Sequence, residues 1–287
     1  MAQIHATAVV DTRAELGRDV VIGPWCMVEG GAVIGDGCRL EARSIVKSRT
    51  TLGKNNEIGE GAVVGGAAQH LHVHDPGGTL VIGEGNRIRE NVTIHRGWNN
   101  DAVTTIGDHN FLMVGSHVAH DCRVGNHCVL VNHVLLGGHV QVDDRAYVGG
   151  ASAIHQFCRI GRLAMVGGLA RITQDVPPFV MIEGGVALVV GLNKVGLRRN
   201  GYTAEQILQL KQAYRVIYRE GHRWSDVLQI LKADFATGPA AAFHEFLAAG
   251  RRGFIQERRI SRTATLKLVH AASDDADHSD ARHREAA

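Results

Sequence analysis

Aromatic side chains are scarce in this sequence of 287 residues: they make up only 5% of it, and proline occurs only 5 times. The net charge is +2, and such a near balance argues against a protein that binds nucleic acid. No stretch approaches the roughly 20 apolar residues of a membrane span. The N-terminus also lacks the basic and then apolar pattern of a secretory signal. We therefore expect a cytoplasmic protein with no stable membrane insertion.

Glycine, by contrast, is abundant, with 35 residues, and an aliphatic residue recurs at every sixth position. Of the 29 positions in this phase from residue 4 to residue 172, 26 are Ile, Leu or Val. The exceptions are His70, Pro76 and Asn100. Because they fall in two short stretches, we expect inserted loops near residues 67–80 and 97–105.

A period of six fits neither the 3.6-residue repeat of an α-helix nor the simple alternation of a strand. It fits a short strand followed by a turn, with one aliphatic side chain pointing inwards each time. Such hexapeptide repeats are typical of a parallel β-helix, in which three repeats complete one triangular coil. Residues 18 apart then lie on successive coils, about 4.8 Å apart. The sequence thus predicts an all-β solenoid whose neighbouring residues can be assigned by counting.

The cysteines all occupy one phase of this repeat, four residues after an aliphatic position. They are Cys26, Cys38, Cys122, Cys128 and Cys158. Alanine and serine hold the same place in other repeats, as at Ala32 and Ser116. We therefore interpret the cysteines as small buried core residues, and not as metal ligands or disulfide partners.

A helical pattern replaces the six-residue period from about residue 203. The segment TAEQ at 203–206 matches a capping box. The apolar residues that follow on one helical face are Ile207, Leu210, Tyr214 and Ile217. Residues 225–235 and 240–250 predict two further short helices.

The chain therefore divides into three predicted parts. The solenoid covers residues 1–190, a small α-helical C-terminal domain covers 191–265, and the polar segment 266–287 is expected to be disordered. Residues 194–260 contain 12 Lys or Arg against 6 Asp or Glu. This local excess of positive charge would suit an acidic protein partner.

The run GSHVAHDCRVG at 115–125 is rich in histidine and can be placed on the solenoid by counting in steps of 18. His120, Gly138 and Gln156 then form one column on successive coils, and His139 lies over Asp121 in the next column. We expect one cluster on this flank of the coil, which contains His117, His120, Asp121, Gly138, His139, His155 and Gln156.

Two kinds of chemistry are compatible with this cluster. In one, His120 is a general base, Asp121 orients it, and the N–H of Gly138 donates to an oxyanion. A hydroxyl or amine could then attack an acyl thioester without a covalent enzyme intermediate. In the other, some of the same histidines bind zinc. Histidines elsewhere are expected only to cap turns; these are His109, His127 and His133.

Several segments, in order, resemble the UDP-N-acetylglucosamine acyltransferases, which begin lipid A synthesis. They are NRIRENVTIHRG (86–97), GSHVAHDCRVGNHCVLVN (115–132), GGHVQVDD (137–144), HQFCRIG (155–161), MVGGLARITQDVPP (165–178) and GLNKVGLRRNGYT (191–203). The likeness extends from about residue 4 to 260. It implies a left-handed β-helix and a homotrimer with active sites between neighbouring solenoids. It also implies transfer of a 3-hydroxyacyl chain from acyl carrier protein to a nucleotide sugar, without a cofactor.

The resemblance also implies roles for individual residues. His120 would be the base, Asp121 its partner and Gly138 the oxyanion donor. Gly168 matches a position that limits acyl length in the family, and a small residue there favours a long chain. The other residues implied to bind substrate are His72, His117, His139, His155, Gln156, Asn193 and Arg199.

The sequence departs from the family in the region implied to bind the sugar nucleotide. At 69–72 it reads QHLH, so that His70 and His72 replace an acid and a lysine of the family. Val195 stands where enterobacterial members have glutamate, and Asn200 replaces the second arginine of a pair. The loop at 184–190, GGVALVV, also differs from the family pattern.

The sequence therefore predicts O-acylation of the 3-hydroxyl of UDP-N-acetylglucosamine. Three alternatives stay open: the same chemistry on a different nucleotide sugar, such as a 3-amino sugar; a zinc-dependent enzyme resembling the γ-class carbonic anhydrases; and a non-catalytic trimeric binding module.

Overall fold

The computed structural model describes residues 1–72 and 77–258. Within them, short strands alternate with turns and form three sheets, one on each side of a triangular coil. All strand pairs are parallel except the last one, between Val180–Ile182 and Val189–Leu192. The segment 266–287, for which we expect disorder, lies outside the described residues, as do residues 259–265 of the expected C-terminal domain.

Each sheet forms one face of the solenoid, and the faces are named A, B and C in the order in which the chain reaches them. The strands of face A are Gln3–Ile4, Val21–Ile22, Arg39–Leu40, Glu57–Ile58, Arg87–Ile88, Phe111–Leu112, Val129–Leu130, Tyr147–Val148, Met165–Val166, Val180–Ile182 and Val189–Leu192. The strands of face B are Val9–Val10, Met27–Val28, Ile45–Val46, Val63–Gly66, Thr93–His95, His117–Val118, Leu135–Leu136, Ala153–Ile154 and Arg171–Ile172. The strands of face C are Glu15–Leu16, Val33–Ile34, Thr50–Leu52, Thr79–Ile82, Val103–Ile106, Arg123–Val124, Gln141–Val142 and Arg159–Ile160.

The register between coils shows where residues are inserted. In the regular part, Val129 pairs with Tyr147, 18 residues later. Ile58 pairs instead with Ile88, so this coil contains 12 residues more than a regular one. Ile82 pairs with Ile106, so that coil contains 6 residues more. The extra residues fall between a strand of face B and the next strand of face C in both cases, so both insertions project from the B–C corner of the coil.

The aliphatic residues of the repeat fill the interior, as the six-residue period predicts. Ile94, Val118 and Leu136, on three successive coils, are each 0% exposed. Burying a side chain of this size stabilises the fold by about 1.5–3 kcal/mol. The third residue after the aliphatic one usually has a positive φ, as Asp121 does at 61°, and this conformation turns the chain into the next face.

The cysteines belong to the same interior. All five are free and buried, which confirms that they are core residues. The thiol of Cys122 donates to the carbonyl oxygen of Gly137 on the next coil at 3.1 Å. Burial raises the pKa of this thiol to about 12, so that it is uncharged and unreactive at neutral pH.

Four helices follow the solenoid: α1 (Lys194–Arg199), α2 (Ala204–Tyr218), α3 (Trp224–Asp234) and α4 (Ala241–Ala248). Thr203 and Gln206 form the expected capping box of α2. The short helix α1 was not predicted, because six residues are too few to show a helical period. None of the helices in residues 1–72 and 77–258 is long and apolar enough to cross a membrane.

One arginine of face C joins helix α4 to the solenoid. Arg159 forms an ion pair with Asp175 at 2.7 Å and donates to the carbonyl oxygen of Phe246 in α4 at 2.8 Å. Its guanidinium also lies 4.1 Å from the centre of the Phe246 ring. The parallel sheets and the helices that follow them confirm the predicted fold class.

Candidate active site

His120 and Asp121 lie at the B–C corner, between two residues that face inwards. Val118 and Cys122 are both 0% exposed, and the chain must turn between them. The turn is held by a hydrogen bond from the backbone N–H of Asp121 to Oγ1 of Thr104, at 2.8 Å. The repeat therefore places the imidazole and the carboxylate side by side at the edge of the coil.

The two side chains are joined by a short hydrogen bond. Nδ1 of His120 lies 2.6 Å from Oδ2 of Asp121, and the two side chains are only 10% and 12% exposed. Because a carboxylate accepts hydrogen bonds, Nδ1 carries the proton in this pair, and Nε2 can then accept one. The backbone N–H of Trp98 also donates to Oδ2 of Asp121, at 3.2 Å. Such an arrangement is chemically suited to a general base with an orienting group.

Gly138 lies directly against the imidazole, as the count of 18 predicts. A Cβ atom at this position would lie 2.7 Å from Cε1 and 2.8 Å from Nε2 of His120, so only glycine leaves room for the ring. Among residues 1–72 and 77–258, the backbone N–H of Gly138 has no hydrogen-bond partner. It is therefore available to a ligand beside the imidazole of His120.

His139 occupies the next coil above Asp121. Its Nε2 lies 3.9 Å from Oδ2 of Asp121, and its ring is stacked on Phe157 with centroids 4.5 Å apart. Partial burial lowers the pKa of His139, although the nearby Asp121 carboxylate opposes this effect. A neutral imidazole here can donate or accept a hydrogen bond at neutral pH.

His117 lies on the adjoining strand of face B, beside a second imidazole. Its Nδ1 forms a 2.8 Å hydrogen bond with Oγ1 of Thr93, and its ring centroid lies 5.0 Å from that of His95. Burial, and then the proximity of His95 and His120, lowers the pKa of His117 from 6.5 to about 4. Burial also lowers the pKa of His95.

These lowered pKa values predict a loss of stability in acid. The unfolded chain protonates His117 near pH 6.5 and the folded chain only near pH 4, so the unfolded state binds more protons between these values. The free energy of unfolding should therefore fall as the pH drops through this window, by no more than about 3 kcal/mol for this residue. Urea unfolding of the wild type and His117→Asn at pH values of about 7 and 4.5 measures the effect.

The substitution should make the fall in stability between the two pH values smaller. The same substitution at the exposed residue His133 is the control and should leave the fall unchanged. Equal pH dependence in the wild type and in His117→Asn would show that His117 does not stay neutral in the folded protein.

His155 is exposed and follows the strand of face B that lies two coils beyond the strand of His117. Its Nδ1 is 3.3 Å from Nη2 of Arg252 and 3.1 Å from the backbone oxygen of its neighbour Gln156. A mainly apolar groove of about 290 Å³ crosses face B from His117 to His155 and Arg171. The groove provides an apolar surface that begins at His117, on the strand that leads into the corner of His120 and Asp121.

Three of the expected substrate-binding residues lie at other corners of the same chain. Gly168 is at the A–B corner, where it is stacked over Gly150. Asn193 is only 7% exposed, and its side chain caps α1 through the N–H of Gly196 and donates to the carbonyl oxygen of Leu163 at the C–A corner. Arg199 is exposed at the end of α1. A single chain therefore does not bring these residues to the dyad.

Sequence reasoning missed the contacts made by the two insertions. His72, expected to bind substrate, is exposed and accepts a hydrogen bond through its backbone oxygen from the indole of Trp98. The sequence pattern indicates a site role for neither Trp98 nor the buried His95. A signal was available, since both insertions interrupt the repeat between faces B and C, at the corner that carries His120.

A metal ion has one candidate position within the described part of the chain. His120, Asp121 and His139 each offer a ligand atom, and these atoms lie within 4.8 Å of one another. His117 and His155 do not belong to this group, so the group found in residues 1–72 and 77–258 contains two histidines and one carboxylate. The oxygen of Asp121 nearest to the imidazoles already accepts hydrogen bonds from His120 and Trp98.

A hexapeptide solenoid with a His–Asp dyad at one corner defines the class of hexapeptide-repeat acyltransferases, and comparison with known proteins agrees. The family model for bacterial transferase hexapeptide repeats matches residues 31–66 and 104–138. The model described as domain 2 of UDP-N-acetylglucosamine O-acyltransferase matches residues 175–255.

Relatives and solved structures identify the family within this class. The acyl-[acyl-carrier-protein]–UDP-N-acetylglucosamine O-acyltransferases of Halorhodospira halophila and Burkholderia orbicola are 41% and 42% identical; each alignment covers 89% of this chain and 100% of the relative. The LpxA structure from Acinetobacter baumannii has a TM-score of 0.85 at 39% identity and covers 88% of this chain and 99% of that one. The chain belongs to the UDP-N-acetylglucosamine O-acyltransferase family, and its coil is left-handed.

Proposed function

We propose that the protein transfers a 3-hydroxyacyl chain from acyl carrier protein to the 3-hydroxyl of UDP-N-acetylglucosamine. The observation that carries the proposal is the 2.6 Å bond between His120 and Asp121, with the N–H of Gly138 beside the ring. Relatives named acyl-[acyl-carrier-protein]–UDP-N-acetylglucosamine O-acyltransferase align with 89% of the chain. A cytoplasmic location follows from the proposed substrates, since acyl carrier protein and nucleotide sugars are cytoplasmic.

The proposed mechanism uses general base catalysis. Nε2 of His120 takes the proton of the acceptor hydroxyl as its oxygen attacks the thioester carbonyl. Asp121 holds Nδ1–H and stabilises the imidazolium that forms. The N–H of Gly138 donates to the tetrahedral oxyanion, which then expels the carrier thiolate, and His120 returns the proton to this sulfur. His117, His139, His155 and Gln156 line the substrate site in this proposal.

The proposed assembly is a homotrimer whose sites lie between chains. Support comes from the distribution of the substrate-binding residues over different corners, since a second copy would have to supply Asn193, Arg199 and Gly168. Face B also exposes apolar side chains of a kind that interfaces cover: Val9 is 63% exposed and Leu135 is 49% exposed. The groove on face B that begins beside His117 is the proposed path of the acyl chain, with Gly168 limiting its length.

The proposed docking surface for acyl carrier protein lies on the helical segment. A groove of about 510 Å³ is lined by Lys194, Lys211, Arg215 and Arg219, together with Val190 and Val195. Basic side chains around an apolar strip suit an acidic partner, because they steer its approach while the strip excludes water. Val195 is 55% exposed. Because this chain has valine where enterobacterial members have glutamate, its apolar strip is wider.

Turnover of UDP-N-acetylglucosamine with 3-hydroxyacyl carrier proteins of different chain length tests the proposal. We expect an O-acylated product by mass spectrometry, and a faster reaction than with the 3-amino analogue of the sugar. The comparison is needed because His70, His72 and Asn200 change the region implied to bind the acceptor. A kcat/KM at least about tenfold higher for the amine, or about 1.4 kcal/mol in transition-state binding, would identify a different acceptor.

A further inference from the structure

The two insertions in the solenoid meet at one tryptophan. Trp98 belongs to the second insertion, and its indole Nε1–H donates to the carbonyl oxygen of His72 in the first insertion at 2.6 Å. The backbone N–H of the same residue donates to Oδ2 of Asp121 at 3.2 Å. Trp98 thus links the first insertion directly to the carboxylate that orients the base.

Aromatic rings from both insertions cover the outer side of the base. The ring of His70 lies against the indole of Trp98, with centroids 4.3 Å apart and planes inclined by 38°. It also meets the ring of His120 edge-on at 5.9 Å, and the indole lies 6.3 Å from that ring. His120 is consequently only 8% exposed, although it lies at the edge of the coil.

We propose that His70 and Trp98 form a cover over the dyad of His120 and Asp121, which positions the carboxylate and keeps water away from the base. The inference rests on the proposed acyl transfer and adds two positioning residues to it. Both act through the dyad, and His70 also lies in the region implied to bind the acceptor.

Water is the nucleophile that such a cover would exclude. A base that takes a proton from a sugar hydroxyl can take one from water as well. The water oxygen would then attack the thioester carbonyl, the C–S bond would break, and the products would be the free fatty acid and the carrier thiol. The proton would pass through His120 to the departing sulfur. Exclusion of water from a closed site prevents this side reaction.

The test measures transfer and hydrolysis separately in the full-length Trp98→Ala variant. Hydrolysis is followed with 3-hydroxyacyl carrier protein alone, and transfer is followed after addition of UDP-N-acetylglucosamine. We expect kcat/KM for transfer to fall by about 10- to 100-fold, the range that follows from misplacing a catalytic group. Hydrolysis should rise, so that the ratio of transfer to hydrolysis falls by more than the transfer rate alone.

Two further variants separate the parts of the cover. Trp98→Phe keeps a ring against His70 but loses the bond to His72, and it should show an intermediate ratio. His70→Ala removes one ring and leaves the indole of Trp98 with its bond to His72, so it should raise hydrolysis with a smaller effect on transfer. Trp25→Ala is the matched control, because Trp25 is 64% exposed at the A–B corner and should not change either rate.

A parallel fall of both rates in Trp98→Ala, His70→Ala and Trp98→Phe would overturn the proposal, because it would indicate only damage to the fold or to the base. Unchanged rates would overturn it as well. If the wild type does not acylate UDP-N-acetylglucosamine, the proposed acceptor is wrong. The hydrolysis rates of wild type and variants still test the cover in that case.

Discussion

Replacing His120 with glutamine is expected to lower kcat/KM for acyl transfer by about 10³-fold, the middle of the range for a positioned general base. Glutamine is close in size and can still hydrogen bond to Asp121, but it does not accept a proton at neutral pH. The fold should survive, because the side chain lies outside the aliphatic core. Steady-state kinetics with acyl carrier protein and the nucleotide sugar measure the effect, and thermal unfolding checks the fold.

His133→Gln is the control for this experiment. His133 occupies a turn of the A–B corner with φ of 59° and is exposed, so the same chemical change should leave kcat/KM unchanged. If His120→Gln retained most of the activity, another group would have to be the base, and the proposed mechanism would be wrong.

Replacing Gly138 with alanine is expected to lower kcat/KM by about 10²-fold, the cost of a displacement of about 1 Å at a catalytic group. The added Cβ would lie 2.7 Å from Cε1 of His120. The ring is enclosed by His70, Trp98 and His139, so it cannot give way without losing its bond to Asp121 or its place beside the N–H of residue 138. Kinetics and a crystal structure of the variant would show the activity and the position of the ring.

Gly150→Ala is a matched control, because Gly150 follows an aliphatic residue by two positions just as Gly138 does. Its added Cβ would lie 3.3 Å from the nearest atom, the carbonyl oxygen of Asn132, and we expect wild-type activity. Full activity in Gly138→Ala would show that acyl transfer does not require His120 to occupy its observed position.

The solenoid could be predicted well because its six-residue repeat is present in the order of the amino acids. Ile94, Val118 and Leu136 each fall in the aliphatic phase, and their burial follows from it without knowledge of any contact. The same counting placed Gly138 against His120 and His139 over Asp121, since regular coils put residues 18 apart on top of one another. The helical segment has no such repeat, and α1 was missed there.

The insertions could not be predicted in the same way. Nothing in the spacing of residues 67–72 and 97–102 shows that His70 packs on Trp98 or that the indole reaches the backbone of His72. These contacts depend on the path of two irregular loops, which is set by side-chain packing and hydrogen bonds and not by the repeat.

The sequence by itself determined the aliphatic interior, the role of the cysteines and the column that holds the dyad, because a fixed period converts distance along the chain into position in space. Only the tertiary structure decided three other matters: the 2.6 Å bond in the dyad, the cover formed by the insertions, and the separation of Gly168, Asn193 and Arg199 from His120. Each of these depends on contacts between parts of the chain that no repeat relates.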